Sequence, residues 1–204
     1  MDRRALLAIL RVGFAALAVA AILTQLLDLS GRGVLDPVNF FSYFTIQSNL
    51  IAVAALLWTA AVPAERRTPA HDLFRGAATT YITVTFVVFA LLLADTDVDT
   101  AIPWVDRALH RVMPIVLMAD WLIDPPRTAI QLRSAWWWLA YPVAWTAYIL
   151  VRGAIVNKYP YPFLDPANGG YGTVAIYSVA ILLGMLGLIW AVTHIGNAMR
   201  AVRA

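Results

Sequence analysis

Six long apolar stretches constrain this chain more than any other feature of its sequence. They cover residues 5–27, 39–62, 76–94, 104–124, 135–152 and 171–195. A helix needs about 20 predominantly apolar residues to cross the hydrocarbon core of a bilayer, and each stretch has roughly that length. Backbone polar groups in lipid must be paired within the segment, which favours helices. The sequence therefore predicts an all-α integral membrane protein with six transmembrane helices in a single domain, residues 1–204.

The composition agrees with a lipid environment and excludes several kinds of site. Hydrophobic residues make up 61% of the 204 residues and charged residues only 13%, whereas soluble domains contain about 25% charged residues. The chain has no cysteine and three separated histidines, so we expect no metal site and no thiol chemistry. It also lacks glycine-rich nucleotide-binding motifs, and we expect no cofactor. The basic residues lie near the ends of the apolar stretches, which argues against nucleic-acid binding.

The placement of basic residues predicts the orientation in the membrane. With a cytoplasmic N-terminus, the inside segments contain nine arginines: Arg3, Arg4, Arg66, Arg67, Arg75, Arg127, Arg133, Arg200 and Arg203. The outside segments then contain only three basic residues: Arg32, Arg152 and Lys158. Cytoplasmic loops carry an excess of Lys and Arg. Both termini are therefore predicted to be cytoplasmic, with the acidic loop 95–99 outside.

Polar side chains cluster near the start of the second stretch, at Thr45, Gln47, Ser48 and Asn49. On a helix, Thr45, Ser48 and Asn49 share one face, and Gln47 points elsewhere. Polar groups at membrane depth are candidates for function. The alternative is that they form hydrogen bonds between packed helices.

The fourth stretch contains a histidine with a carboxylate one helical turn before it. Asp106 and His110 are four residues apart, so the carboxylate can orient the imidazole on the same helix face. Arg107 and Arg111 lie on a neighbouring face, where contact with lipid headgroups is the simpler interpretation. Deeper in the same stretch, Asp120 is expected to pair with Arg11 of the first stretch. The third-stretch threonines, Thr79, Thr80, Thr83 and Thr85, are expected to bond backbone carbonyls or pack between helices.

The last outside loop is rich in proline and aromatic residues. Prolines stop a helix, and a non-helical segment at a membrane face must pack on protein. The sequence predicts that this loop forms part of a substrate pocket or a lid through Tyr161, Pro162, Phe163 and Asp165. An aromatic belt at the membrane interface is the alternative. Thr45 and His110 lie about six residues, roughly 9 Å, below the same membrane face as this loop.

With these three segments, the sequence resembles the androgen-inducible family of small polytopic membrane hydrolases. The resemblance rests on Phe44-Thr45 with its polar followers, on Ala108-Leu109-His110 through Asp120, and on Tyr161-Pro162-Phe163-Leu164-Asp165, in the family's order. Animal members have Asn-His where this chain has Asp106-Arg107. These animal members hydrolyse fatty acid esters of hydroxy fatty acids with a threonine nucleophile and an essential histidine, and the family also has many bacterial members.

The resemblance implies that Thr45 is the nucleophile and His110 the base of an intramembrane hydrolase. Asp106 is expected to orient His110, and Asn49 or Ser48 to donate to the oxyanion. The expected partners are membrane lipids and a lipid ester, and the expected location is a bacterial plasma membrane with the site toward the outer leaflet. The alternative from a different class is a non-enzymatic membrane protein that binds lipid or transports a small solute through the same polar cluster.

Overall fold

The computed structural model describes residues 2–93 and 102–203, which form helices joined by short loops and contain no strand. We number the main helices α1 to α7: Arg3–Gly31, Pro37–Ser42, Phe44–Ala61, Pro69–Leu93, residues 103–123, Leu132–Val156 and Gly170–Arg203. Short 3₁₀ turns follow α3 at Ala64–Arg66 and α6 at Pro162–Leu164 and Pro166–Asn168. The acidic loop 95–99 lies outside the described residues.

Five helices in the described part of the chain are long and apolar enough to cross a membrane: α1, α3, α4, α6 and α7. They coincide with five of the six apolar stretches. The remaining stretch, 104–124, forms the continuous helix α5, which contains four charged residues: Asp106, Arg107, Arg111 and Asp120. The all-helical architecture is therefore as predicted, and α5 differs from the five other long helices because its four charged residues all fall within the segment 106–120.

The second stretch was predicted as one helix over 39–62, but it is divided into α2 and α3 at Tyr43. Tyr43 has extended backbone angles (φ −66°, ψ 128°). The indole N–H of Trp145 donates to the carbonyl oxygen of Ser42 at 2.9 Å, so this carbonyl is bonded by α6 at the break. As a result, α3 begins at Phe44, and Thr45 lies in its first turn.

The fourth helix begins at Pro69, earlier than the predicted start at residue 76. Thr68 caps it by accepting the backbone N–H of His71 at 3.3 Å, and Pro69 occupies the first helical turn, a favoured combination for a helix start. His71, which precedes the predicted stretch 76–94, is therefore helical, and only 1% of its surface is exposed.

Helix α3 lies between two buried clusters. On one side it packs with α1 and α5, where small residues of α1 are fully buried (Ala15, Ala18 and Ala21). Small residues allow helix backbones to approach closely in a bilayer. On the other side α3 and α4 pack with α6 and α7 around aromatic side chains such as Phe44, Tyr81 and Trp138. We call the end of the bundle where α3 begins the site end.

The opposite end contains a buried network of charged side chains. Arg11 bonds Asp120 at 2.7 Å and Asp124 at 2.6 Å. Asp120 also pairs with Arg75 at 2.8 Å, and Asp124 with Arg67 at 2.7 Å. The predicted Arg11–Asp120 pair is therefore confirmed, within a network that joins α1, α4 and α5.

The threonines of α4 bond within their own helix. The hydroxyl groups of Thr79, Thr80, Thr83 and Thr85 each donate to the carbonyl oxygen four residues earlier, at 2.7 to 3.2 Å. This confirms the prediction that they satisfy backbone carbonyls, a common way to accommodate threonine in an apolar helix.

Candidate functional site

Thr45 occupies the first turn of α3, where backbone N–H groups have no partner within the helix. Its N–H donates to the hydroxyl oxygen of Tyr161 at 3.2 Å. Its side chain is buried, with 7% of the residue exposed. The Thr45 hydroxyl therefore lies beside a helix N-terminus, an environment that favours negative charge.

His110 approaches Thr45 from α5. Its Nε2 lies 3.2 Å from the Thr45 Oγ1 atom. The backbone of Ala108–Val112 forms a π-helical turn within α5, a feature often found at functional sites. The structure therefore brings the predicted threonine and histidine together, although they lie 65 residues apart.

Asp106 contacts the other nitrogen of His110. Its carboxylate Oδ1 lies 2.9 Å from His110 Nδ1, and its backbone oxygen lies 3.2 Å from the same atom. Both oxygens can only accept, so Nδ1 carries the proton. In the neutral imidazole, Nε2 then presents its lone pair to the Thr45 hydroxyl. A carboxylate, an imidazole and a hydroxyl are thus joined by hydrogen bonds in the order that nucleophilic catalysis requires.

Phe89 covers one face of the imidazole. Its ring stacks on His110 with centroids 4.3 Å apart and an angle of 17° between the planes. Phe89 begins a second π-helical turn, Phe89–Leu93, at the end of α4. The guanidinium of Arg111 lies 5.7 Å from the centroid of the same phenyl ring. The stack limits rotation of the imidazole, and sequence reasoning missed it because nothing in the sequence marks Phe89.

Tyr161 reaches the site from the loop between α6 and α7. Its hydroxyl lies 3.3 Å from Thr45 Oγ1, and burial raises the pKa of Tyr161 to about 12. It is therefore a neutral phenol near pH 7. Its ring stacks on Phe163 at 5.3 Å and meets the edge of Tyr43 at 5.6 Å.

The other residues predicted in this loop have different positions. Phe163 lines a cavity beside the site. Pro162 begins a 3₁₀ turn, and the Asp165 carboxylate accepts the N–H of Ala167 at 2.9 Å at the start of the next turn. Tyr161 and Phe163 thus contribute to the pocket, while Pro162 and Asp165 shape the loop that holds them.

Ser48 and Asn49, the predicted oxyanion donors, direct their hydrogens to other groups. The Asn49 amide donates to the carbonyl oxygens of Thr45 at 2.8 Å and Leu109 at 3.2 Å, which links α3 to α5. The Ser48 hydroxyl lies 3.2 Å from the same Thr45 carbonyl and 2.8 Å from the Thr85 hydroxyl. Both side chains therefore fix the backbone that carries Thr45 and His110.

Two cavities of different chemistry meet at the site. The first, the apolar cavity, lies among α3, α4, α6 and α7 and is lined mainly by apolar side chains, including Val84, Val88, Trp145, Ile181 and Met185. The second, the vestibule, lies toward the site end and has polar lining residues: Gln25, Arg32, Asp36, Asn39 and Lys158. Both cavities are bordered by the same four residues: Thr45, Leu93, His110 and Tyr161. Thr45 thus borders both an apolar cavity and a vestibule whose lining mixes apolar side chains with charged and amide groups.

A second threonine–histidine contact lies at the opposite end of α3. The hydroxyl of Thr59 lies 3.3 Å from His71 Nε2 but also donates to the Ala55 carbonyl at 2.6 Å. Neither Thr59 nor His71 lines the apolar cavity or the vestibule. This contact offers a matched control for the site at Thr45.

No protein-family model, curated protein or solved structure matches this chain. The resemblance to the androgen-inducible hydrolases therefore stays a prediction.

Proposed function

We propose that this chain is an intramembrane hydrolase of lipid esters in which Thr45 is the nucleophile and His110 the base. One observation carries the proposal. The Thr45 hydroxyl lies 3.2 Å from His110 Nε2, while the opposite ring nitrogen is held by the Asp106 carboxylate at 2.9 Å. Interhelical packing alone does not require a carboxylate that sets the tautomer of an imidazole facing a hydroxyl.

The reaction has two stages. Thr45 Oγ1 attacks the ester carbonyl carbon while His110 Nε2 takes the hydroxyl proton. The resulting tetrahedral intermediate expels the alcohol, which receives that proton from His110, and an acyl-threonine remains. His110 then removes a proton from water, which attacks the acyl-threonine. The fatty acid leaves, and the proton returns to Thr45 Oγ1.

Asp106 contributes in both stages by stabilising the imidazolium and holding the ring in place. A threonine hydroxyl is weakly nucleophilic and hindered by its methyl group, so it needs a base at hydrogen-bond distance. The carboxylate and the Phe89 stack together restrict His110 to an orientation that meets this need.

The two cavities support a lipid ester as the substrate class. The apolar cavity suits a fatty acyl chain, and the charged and amide side chains of the vestibule suit the alcohol portion and the attacking water. Fatty acid esters of hydroxy fatty acids, the class implied by the family resemblance, combine these properties. Related esters with a polar alcohol portion fit the same description.

We further propose that α5 is a sixth transmembrane helix. Its two carboxylates are paired within the protein: Asp106 holds His110, and Asp120 pairs with Arg11 and Arg75. A charged residue in the membrane is tolerated when it is paired inside the bundle. With both termini in the cytoplasm, the site faces the outer leaflet of the plasma membrane.

The test is hydrolysis of a branched fatty acid ester by purified protein in detergent micelles. We expect fatty acid release by the wild type and by Thr45→Ser, which keeps the hydroxyl. Thr45→Ala and His110→Ala are expected to lose activity while keeping the unfolding temperature of the wild type within a few degrees. Thr59→Ala removes the matched hydroxyl at the opposite end of α3 and should leave activity unchanged.

Covalent labelling gives a second readout. A fluorophosphonate probe should modify the wild type at Thr45 and leave Thr45→Ala unmodified. A wild type that is inert toward a panel of lipid esters and toward the probe would contradict the hydrolase proposal and favour lipid binding or transport.

A further inference from the structure

The proposed reaction creates a negative charge that neither Asn49 nor Ser48 is free to stabilise. When Thr45 attacks an ester, the carbonyl oxygen becomes an oxyanion and needs hydrogen-bond donors within about 3 Å. The amide of Asn49 is already bonded to two carbonyl oxygens, and Ser48 contacts the Thr45 carbonyl and Thr85. The donors must therefore come from elsewhere around the Thr45 hydroxyl.

Two donors lie beside Thr45 Oγ1. One is the backbone N–H of Thr45 itself, which lies in the first turn of α3 and points to the Tyr161 oxygen at 3.2 Å. The other is the Tyr161 hydroxyl, 3.3 Å from Oγ1. In the resting state Oγ1 gives its hydrogen to His110 and the Tyr161 oxygen accepts the Thr45 N–H. The phenolic hydrogen is then directed to Oγ1.

We infer that Tyr161 is a catalytic residue, and that its hydroxyl and the Thr45 backbone N–H together form the oxyanion hole. This inference rests on the proposed hydrolase function. As the bond between Oγ1 and the ester carbon forms, Oγ1 loses its negative character and the former carbonyl oxygen gains it. Both donors then shift from their resting partners to that oxygen, and they return when the carbonyl reforms.

The surroundings of Tyr161 suit a donor rather than a base. Burial raises the pKa of its phenol to about 12, which keeps the hydrogen in place near neutral pH. The ring is held by Phe163 and Tyr43, so the hydroxyl is positioned before substrate arrives. Such preorganised donors account for much of the rate enhancement in acyl transfer. The N-terminal end of α3 adds a favourable field at the same place.

The test compares Tyr161→Phe with Tyr148→Phe. The first removes only the hydroxyl at the site, and kcat is expected to fall about 10²- to 10³-fold with little change in KM. Fluorophosphonate labelling of Thr45 should slow by a similar factor, because a phosphonyl oxygen occupies the oxyanion position. Tyr148→Phe removes a hydroxyl that lies 3.1 Å from the Ser42 hydroxyl and makes no contact with Thr45. This variant should keep wild-type kinetics.

A third variant distinguishes a catalytic role of the Tyr161 hydroxyl from a role in packing. Difluorotyrosine at position 161 keeps the hydroxyl but ionises at lower pH, and a phenolate cannot donate. We expect its kcat to decline at a lower alkaline pH than that of the wild type, whereas a purely structural tyrosine would give the same pH profile as the wild type.

The outcomes separate this inference from the proposed function. If Thr45→Ala is inactive but Tyr161→Phe keeps wild-type kinetics and labelling, the catalytic role of Tyr161 is overturned. With Thr45→Ala inactive, an unchanged pH profile for the fluorinated protein overturns it as well. A wild type that neither hydrolyses esters nor labels at Thr45 overturns the hydrolase function, and the oxyanion hole with it.

Discussion

At the scale of single residues, Asp106 is where a change of one atom should matter most. Asp106→Asn keeps the shape of the side chain but offers an N–H to His110 Nδ1, which favours the tautomer with a proton on Nε2, facing Thr45. Loss of the correct tautomer in a comparable hydroxyl–imidazole–carboxylate site costs roughly 10⁴-fold in kcat. The Asp106 backbone oxygen also accepts from Nδ1 at 3.2 Å, so we expect a loss of about 10²- to 10⁴-fold.

Steady-state hydrolysis in micelles measures this effect. Asp28→Asn is a suitable comparison, because Asp28 is a carboxylate near the site end that pairs with exposed Arg32 at 3.4 Å. It should retain full activity. Equal rates for Asp106→Asn and the wild type would show that the carboxylate does not control the tautomer of His110.

The sequence predicted the residues that meet at the site better than it predicted their roles. Thr45 and His110 were expected at similar depth, but only packing could place α3 beside α5. The spacing of Asp106 and His110 predicted their contact directly, because both are on one helix. The position of Tyr161 could not be predicted, since the direction of a side chain in a proline-rich loop depends on what the loop packs against. Asn49 was identified as a polar residue at membrane depth, but its hydrogen bond to the Leu109 carbonyl depends on the packing of α5.

At the scale of helices, two π-helical turns face each other across the site. Phe89 starts the turn in α4, and His110 lies within the turn in α5, and their rings stack. Phe89→Leu removes the stack while keeping an apolar side chain. Aromatic pairs contribute about 0.5–1.5 kcal/mol beyond burial, so we expect kcat to fall by up to about 10-fold.

The control for this change is a similar substitution away from the imidazole. Phe74→Leu alters a ring that packs against Trp58 at 5.5 Å near the opposite end of the bundle. Its kcat should match that of the wild type. A loss of kcat in both variants would point to general loosening of the helices rather than to orientation of His110.

The helix boundaries show which local signals are readable in a sequence. Thr68 followed by Pro69 is a recognisable helix start, and its use would have placed the beginning of α4 correctly. The break at Tyr43 has no such signal, because neither glycine nor proline is present there. It is stabilised instead by a distant residue, Trp145 of α6, which donates to the Ser42 carbonyl. The π-helical turns likewise have no residue pattern that distinguishes them from ordinary helix.

At the scale of the whole molecule, the buried charge network and the site lie at opposite ends of the same helices. Asp120 accepts from both Arg11 and Arg75. Asp120→Asn therefore removes the negative charge that pairs with two buried guanidinium groups. Breaking a buried ion pair on one side costs about 3–5 kcal/mol. We expect a clear drop in the unfolding temperature in detergent, with kcat preserved at low temperature because the site is remote.

An exposed ion pair provides the contrast. Glu65 pairs with Arg4 at the surface near the same end of the bundle, where solvent screens the attraction. Glu65→Gln should leave the unfolding temperature almost unchanged. If Asp120→Asn were as stable as Glu65→Gln, the buried network would not be a main source of stability for the bundle.

The position of Thr45 between the apolar cavity and the vestibule also has a kinetic consequence. A substrate whose acyl chain enters the apolar cavity reaches the hydroxyl from within the lipid phase, so its effective concentration is its mole fraction in the bilayer. Turnover should then follow surface dilution: adding inert lipid at constant total ester slows the reaction, while adding more vesicles of the same composition does not. The two products also leave the site in different directions: the fatty acid stays in the bilayer, and a short alcohol is released to the aqueous phase.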